Sequence, residues 1–222
     1  MKVTWIGQSG YILKSGSTEI MLDPYLSDAV NMLENRPRLV SAPIKPEDIH
    51  ADAVICTHNH TDHLDTYSAA LMPESTHFIT TAEGRDALYA VGRKNVSVLF
   101  EGGSISVGDF EITAVYAKHT AEAFGAVIRA EGKTLYFSGD TLFDSRLFEI
   151  SRFKPDIAFI CINGKLGNMN AEEAVITAGK IGAAINIPNH YGMFATNTED
   201  PHRFADFVIG GTVLEFNREY DF

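Results

Sequence analysis

Residues 53–57, the apolar and β-branched run Ala-Val-Ile-Cys-Thr, lead straight into His58-Asn59-His60-Thr61-Asp62-His63, and this junction constrains the fold more than any other stretch. A short run of that kind reads as a buried strand. Four residues of metal-ligating type, His58, His60, Asp62 and His63, then fall within six positions. If strand geometry continues briefly, His58 and His60 point the same way. A turn at Thr61 would carry Asp62 and His63 round to a second point. Two nitrogen donors at one place and a nitrogen–oxygen pair at another can seed two adjacent metal sites. A polar loop with chance histidines accounts for a lone histidine, but poorly for three histidines and an aspartate at this spacing.

The rest of the chain is strand-rich, with helices between groups of strands. Residues 3–6, 11–14 and 19–22 read as three short strands separated by Gly-Gln-Ser-Gly and Ser-Gly-Ser turns. Residues 26–50 carry Pro37, Pro43 and Pro46 without a clear period, as a loop with short helical pieces would. Helical spacing follows over 82–91. Strands are expected over 96–100, 104–107, 110–116, 126–130 and 134–138, with a Gly132-Lys133 hairpin turn before the last. A helix over 143–153, a buried strand over 156–162 and a helix over 171–181 come next. Ala174, Val175, Ala178 and Ile181 share one face of that helix, and Asn170 is placed to cap it. A helix over 202–208 and a strand over 212–216 complete the reading. Strands with intervening helices occur twice, so two packed mixed sheets flanked by helices would satisfy the pattern, an α/β class.

At 222 residues and 45% apolar content, the chain can bury one substantial core. A single domain over 1–222 is expected, built from two similar halves meeting near residue 105. Its net charge of −11 repels phosphate backbones, so no nucleic-acid partner is expected. Cys56 and Cys161 lie inside apolar runs and read as reduced core thiols. The start, Met1-Lys2-Val3-Thr4-Trp5, lacks the pattern of a signal peptide, and no stretch approaches the roughly 20 apolar residues of a membrane span. A cytoplasmic protein without membrane association is the expectation.

His-x-His-x-Asp-His after an apolar strand resembles the signature of the metallo-β-lactamase superfamily. Further likeness runs along nearly the whole chain: Gly7, the Leu22-Asp23-Pro24 turn, Ser138-Gly139-Asp140-Thr141, and Asn189-His190-Tyr191 after an Ile-Asn-Ile-Pro run. Within the superfamily the sequence is most similar to the ascorbate-6-phosphate lactonase-like branch. The resemblance implies a four-layer αββα sandwich and two divalent cations. His58, His60 and His119 would hold one cation, Asp62, His63 and His190 the other, with Asp140 bridging both. Asp62 and Asp140 would thus be the catalytic carboxylates, around a hydroxide bridging the two ions. All donors are nitrogen or oxygen, which suits Zn²⁺, Mn²⁺ or Fe²⁺, and the lactonase likeness tilts the choice towards Mn²⁺.

Such a centre implies a metal-dependent hydrolase acting on a small ester or lactone, for example a sugar-phosphate lactone. A phosphodiesterase for small nucleotides is the alternative, and a non-catalytic metal-binding protein the third reading. The small-molecule substrate is expected to be anionic or phosphorylated. Asn163 and Lys165, in the glycine-containing loop before the 171–181 helix, and Tyr191 are the candidate substrate contacts. His50, His77 and His202 read as surface or edge residues. Asp65 suits a helix cap at least as well as the site, and Asp23 either ends a strand or hydrogen-bonds a ligand histidine.

Overall fold

Alternation along the first strands sets two layers of core against each other. In the computed structural model, which describes residues 1–222, β1 (Lys2–Gly7), β2 (Gly10–Ser15) and β3 (Thr18–Leu22) form an antiparallel meander. Val3, Trp5, Leu13, Ile20 and Leu22 project to one face, and Ile6 and Met21 to the other. Three parallel strands extend this sheet: β4 (Ala53–Ile55), β5 (Phe78–Thr80) and β6 (Val96–Val98). In β4 the same rule sends Ala53 and Ile55 inward between the sheets and Val54 outward to the helices.

Six further strands build a second sheet: β7 (Ser104–Val107), β8 (Phe110–Tyr116), β9 (Phe124–Ala130), β10 (Lys133–Phe137), β11 (Ile157–Cys161) and β12 (Ile185–Asn189). Strands β7 to β10 are antiparallel neighbours, whereas β10, β11 and β12 run parallel. The last strand, β13 (Glu219–Asp221), returns to the first sheet and pairs with β1. Between the sheets lies the main core, where Tyr11 of the first sheet meets Phe137 and Phe159 of the second, at centroid distances of 5.1 and 4.9 Å. Phe137 and Phe159 stack at 4.2 Å. Truncating Phe159 to alanine should cost about 3–5 kcal/mol, read as a lowered urea midpoint at unchanged slope.

Helices cover the outer faces. The short α1 (Ala29–Glu34) packs Ala29 and Val30 against Tyr25, Met193 and Phe194, while α2 (Thr66–Leu71) and α3 (Ala82–Ala90) lie on the first sheet. Leu88 of α3 and Ala69 of α2 pack with Ile6, Met21, Val54 and Phe78. On the second sheet lie α4 (Ala171–Ile181), the short α5 (His202–Ala205) and a 3₁₀ segment, Ser145–Phe153. Asn170 caps α4 in a reciprocal capping box with Glu173, satisfying free N–H groups at the helix start. The architecture is two mixed sheets with flanking helices, as the sequence pattern implied. Both cysteines are buried free thiols.

Two C-terminal expectations are corrected. The helix expected over 202–208 stops at Ala205, and residues 212–216 form no ladder strand. The Asn186 side chain donates to the Ile209 carbonyl, and its backbone pairs with Gly210 and Thr212. Those bonds lash residues 209–212 to the edge of β12, so the chain leaves helical geometry before they can form. The expected 143–153 helix begins at Ser145 and is wound more tightly, with Asp144 accepting from Arg146 N–H.

Candidate metal centre

Four strand ends of the two sheets open on one point. Beyond β4 come Thr57 to His63, beyond β8 His119, beyond β10 Asp140, and beyond β12 His190. Ligand sites in sheets of this kind gather at the carboxyl ends of strands. The seven residues form two groups whose donor atoms lie within 4.8 Å of one another: His58, His60, His119 and Asp140, then Asp62, His63 and His190. The two oxygens of Asp140 divide between them. Oδ2 lies 3.7 Å from His119 Nε2, while Oδ1 lies 3.1 Å from His63 Nε2 and 3.2 Å from His190 Nε2.

Hydrogen bonds on the far side of each ring decide which nitrogen faces the centre. Asp23 is wholly buried and accepts from Thr57 N–H, Thr57 Oγ1–H and His63 Nδ1–H, each at 2.7 Å. Since the Thr57 hydroxyl gives its one proton to Asp23, it can only accept from His58 Nδ1–H, at 3.1 Å. His119 Nδ1–H donates to the Gly167 carbonyl at 3.1 Å. In each case the far-side bond leaves Nε2 as the nitrogen that faces the centre. Of the two readings of Asp23, the hydrogen bond to a site histidine is the one observed.

These donors suit cations. His60 Nδ1 lies 3.0 Å from both His58 Nε2 and His119 Nε2, so three ring nitrogens meet where one shared proton cannot satisfy them all. A tetrahedral ion with bonds of about 2.0–2.1 Å would set such nitrogens roughly 3.3 Å apart. His63 Nε2 and Asp140 Oδ1 are buried and stand 3.1 Å apart without the alignment of a hydrogen bond, and neither has another partner, an arrangement normally costly. Burial, and then neighbouring His63, push His58 well below 6.5, and burial also lowers His119, so both rings offer neutral nitrogens. Burial opposes charge on His63 and His190 too, but Asp140 and other carboxylates outweigh it. His63 is held well above 6.5 and His190 is raised to about 9. Burial alone would raise Asp62 and Asp140, yet the same histidines hold both below the usual carboxylate range. The cluster is thus suited to metal binding.

Gly167 has a strict role here. Its φ is +90°, and a Cβ would lie 2.8 Å from His119 Nδ1. The Gly167→Ala variant is expected to displace His119 and weaken metal affinity at least ~10-fold, as loss of an orienting contact does. A metal titration unchanged from wild type would remove this role.

None of the expected substrate residues lines the cleft beside these donors. A cleft of about 370 Å³ opens over His60 and Asp62, and Glu34, Arg36, Leu166 and Phe194 line it. Asn163, Lys165 and Tyr191 are not on its walls. Buried Asn163 spends its amide on Asn197 Oδ1 at 2.7 Å and the Lys165 carbonyl, holding the loop together. The Lys165 ammonium rests on the Thr196 carbonyl at 3.3 Å. Tyr191 stacks on Trp5 at 4.8 Å, where its backbone bridges to Gln8 just beyond β1. The sequence reading passed over Arg36, within the proline-interrupted loop, and Gln8, in the β1–β2 turn, because neither has a motif to mark it.

Asp65 is a helix cap: it accepts from Ser68 N–H at the start of α2 and also binds Leu26 and Ser27. His50 and His202 are exposed, and half-buried His77 bonds Ser97. No helix is long and apolar enough to cross a membrane.

Comparison with known proteins agrees with this geometry. Residues 18–191 match the family described as Beta-lactamase superfamily domain. A UPF0173 metal-dependent hydrolase of Bacillus licheniformis is 30% identical, over 100% of both chains. Among solved structures, an isothiocyanate hydrolase from Delia radicum gut bacteria superposes with a TM-score of 0.83 at 22% identity, covering 100% of this chain and 99% of the other. The metallo-beta-lactamase fold protein YhfI of Bacillus subtilis superposes at 0.73 with 18% identity, over 99% of both chains. With a family match across most of its length and the ligand-rich strand ends that the fold brings together, this chain belongs to the beta-lactamase superfamily domain family and is a metal-dependent hydrolase of the metallo-β-lactamase fold.

Proposed function

We propose that the protein opens a small ester or lactone, of the sugar-phosphate lactone kind, at a two-cation centre. The division of the Asp140 carboxylate between two donor groups carries this reading. His58, His60 and His119 would hold one ion, Asp62, His63 and His190 the other, and Asp140 both. Zn²⁺, Mn²⁺ or Fe²⁺ would fit these donors. Two such cations supply a water-derived nucleophile at neutral pH and polarise the attacked carbonyl.

The chain's own residues set the remaining conditions. Asp62 and Asp140 are the only anionic members of the seven, so two divalent ions leave the centre with excess positive charge. That excess favours an anionic substrate and stabilises an oxyanion developing beside it. Arg36, paired with Glu34 at 3.2 Å, is the one cationic side chain on the cleft wall. It is better placed than Lys165 to meet a phosphate or carboxylate. Accordingly, Arg36→Ala should raise KM for an anionic lactone about tenfold, the loss expected of one charge-assisted hydrogen bond. Lys165→Ala should leave it within about twofold. The reverse ranking in steady-state kinetics would return the role to Lys165.

The experiment on function is hydrolysis of a small panel by protein loaded separately with Mn²⁺ and Zn²⁺, with Asp140→Asn as the blank. The panel holds a sugar-phosphate lactone, a simple lactone, a β-lactam and an activated phosphodiester. A small isothiocyanate is included because a fold neighbour is described as acting on one. Lactone opening that vanishes in the blank supports the reading. Phosphodiester cleavage alone would replace it with a phosphodiesterase, and metal uptake with no turnover of any substrate would favour a non-catalytic metal-binding role.

A further inference from the structure

Gln8 is an expensive residue to keep where it stands. It is wholly buried, its backbone is left-handed at φ +52°, and its Oε1 has no hydrogen-bond partner. A non-glycine residue in that conformation is strained, and an unpaired buried amide oxygen carries an uncompensated desolvation cost. An apolar side chain of the same volume would avoid the second cost. The amide nitrogen shows what offsets it. Nε2 donates to Asp62 Oδ2 at 2.9 Å and lies 3.2 and 3.3 Å from the two ring nitrogens of His190, over the face of that imidazole. The acceptor-only carboxylate fixes which way the amide faces.

The backbone supports the same contact. Trp5 Nε1–H and His190 N–H both donate to the Gln8 carbonyl, at 3.0 and 3.3 Å, and Gln8 forms a bridge with Tyr191. A turn of the first sheet is thereby tied to the strand end of the second that delivers His190. We infer that Gln8 is a positioning residue for the Asp62–His63–His190 half of the centre, orienting Asp62 and His190 through its carboxamide while leaving the His58–His60–His119 half untouched. This rests on the two-cation reading above.

Two variants separate positioning from packing. Gln8→Leu keeps volume without the amide. Gln8→Asn suits left-handed backbone better than glutamine, so it should fold at least as well, but its shorter amide cannot reach Asp62. Each is titrated with Mn²⁺ by calorimetry, and the melting temperature of the metal-free protein is recorded alongside. In both variants one of the two binding steps should weaken about 10–100-fold, the usual cost of losing an orienting contact, with the other step within about twofold. Turnover of an activated lactone should fall in kcat while KM moves less than about threefold. Equal weakening of both steps alongside a lower metal-free melting temperature would make Gln8 merely structural, and unchanged binding would also overturn the proposal. Wild-type protein that takes up a single equivalent sinks the two-cation reading itself, and this inference with it.

Discussion

Asp140→Ala is expected to lower kcat/KM at least ~10³-fold while the chain still folds, because this carboxylate alone faces both donor groups. Removing it takes the shared anionic donor from each group. It lies at a strand end, outside the aromatic packing of Phe137 and Phe159, so the sheets should survive its loss. Far-ultraviolet circular dichroism checks the fold, and kinetics with metal analysis check the site. Normal turnover in a folded, loaded variant would sink the bridging role.

The same substitution has a consequence in metal-free protein. Burial would lower the pKa of His190, but Asp140 and Asp62 raise it from 6.5 to about 9. A raised folded-state pKa means the folded protein binds the proton more tightly than the unfolded chain. That contribution is complete below about pH 6.5 and is lost as pH climbs through about 9. Metal-free wild type should therefore lose melting temperature across this window, and Asp140→Ala should lose less. Metal affinity should change in the opposite sense, rising over the same window, because the histidines must shed protons to coordinate. A flat metal-free profile would contradict the pairing of His190 with these carboxylates.

The second large effect is expected at Asp23. In Asp23→Ala the buried donors of Thr57 N–H, Thr57 Oγ1–H and His63 Nδ1–H lose their common acceptor. Breaking so buried and charged a set should cost about 3–5 kcal/mol, or roughly 10–15 °C of melting temperature for a chain of this size. Asp23→Asn separates stability from function. Its carbonyl oxygen can still accept from Thr57 N–H, but the amide nitrogen then stands where Oδ2 accepted from Thr57 Oγ1–H and His63 Nδ1–H, so that ring must turn or change tautomer. The asparagine variant should keep most of the stability and lose about 10–100-fold in metal affinity. Calorimetry and metal titration on the two variants test both halves. Equal affinities for wild type and Asp23→Asn would show that His63 does not depend on this orientation.

The sequence by itself determined what lies within a few residues along the chain. His58, His60, Asp62 and His63 share one loop after one buried strand, so spacing alone brought them together. Asn170 and Glu173 sit three residues apart at a helix start, and the capping box follows from that spacing. Alternation in β1, β3 and β4 likewise follows from the period of a strand. His119, Asp140 and His190 carried no such local signal and entered only through a family resemblance. Their approach to the loop is set by the pairing of β8 to β12 and the packing of one sheet on the other. Tertiary structure alone decided that Tyr191 turns away onto Trp5, that the Lys165 ammonium settles on the Thr196 carbonyl, and that Arg36 faces the cleft. It also decided that Gln8, an unremarked turn residue, reaches Asp62 across 54 positions of chain. The physical reason is common to all of these: a contact between distant segments depends on how packed sheets close over one another, and that closure leaves no period in the sequence of either segment.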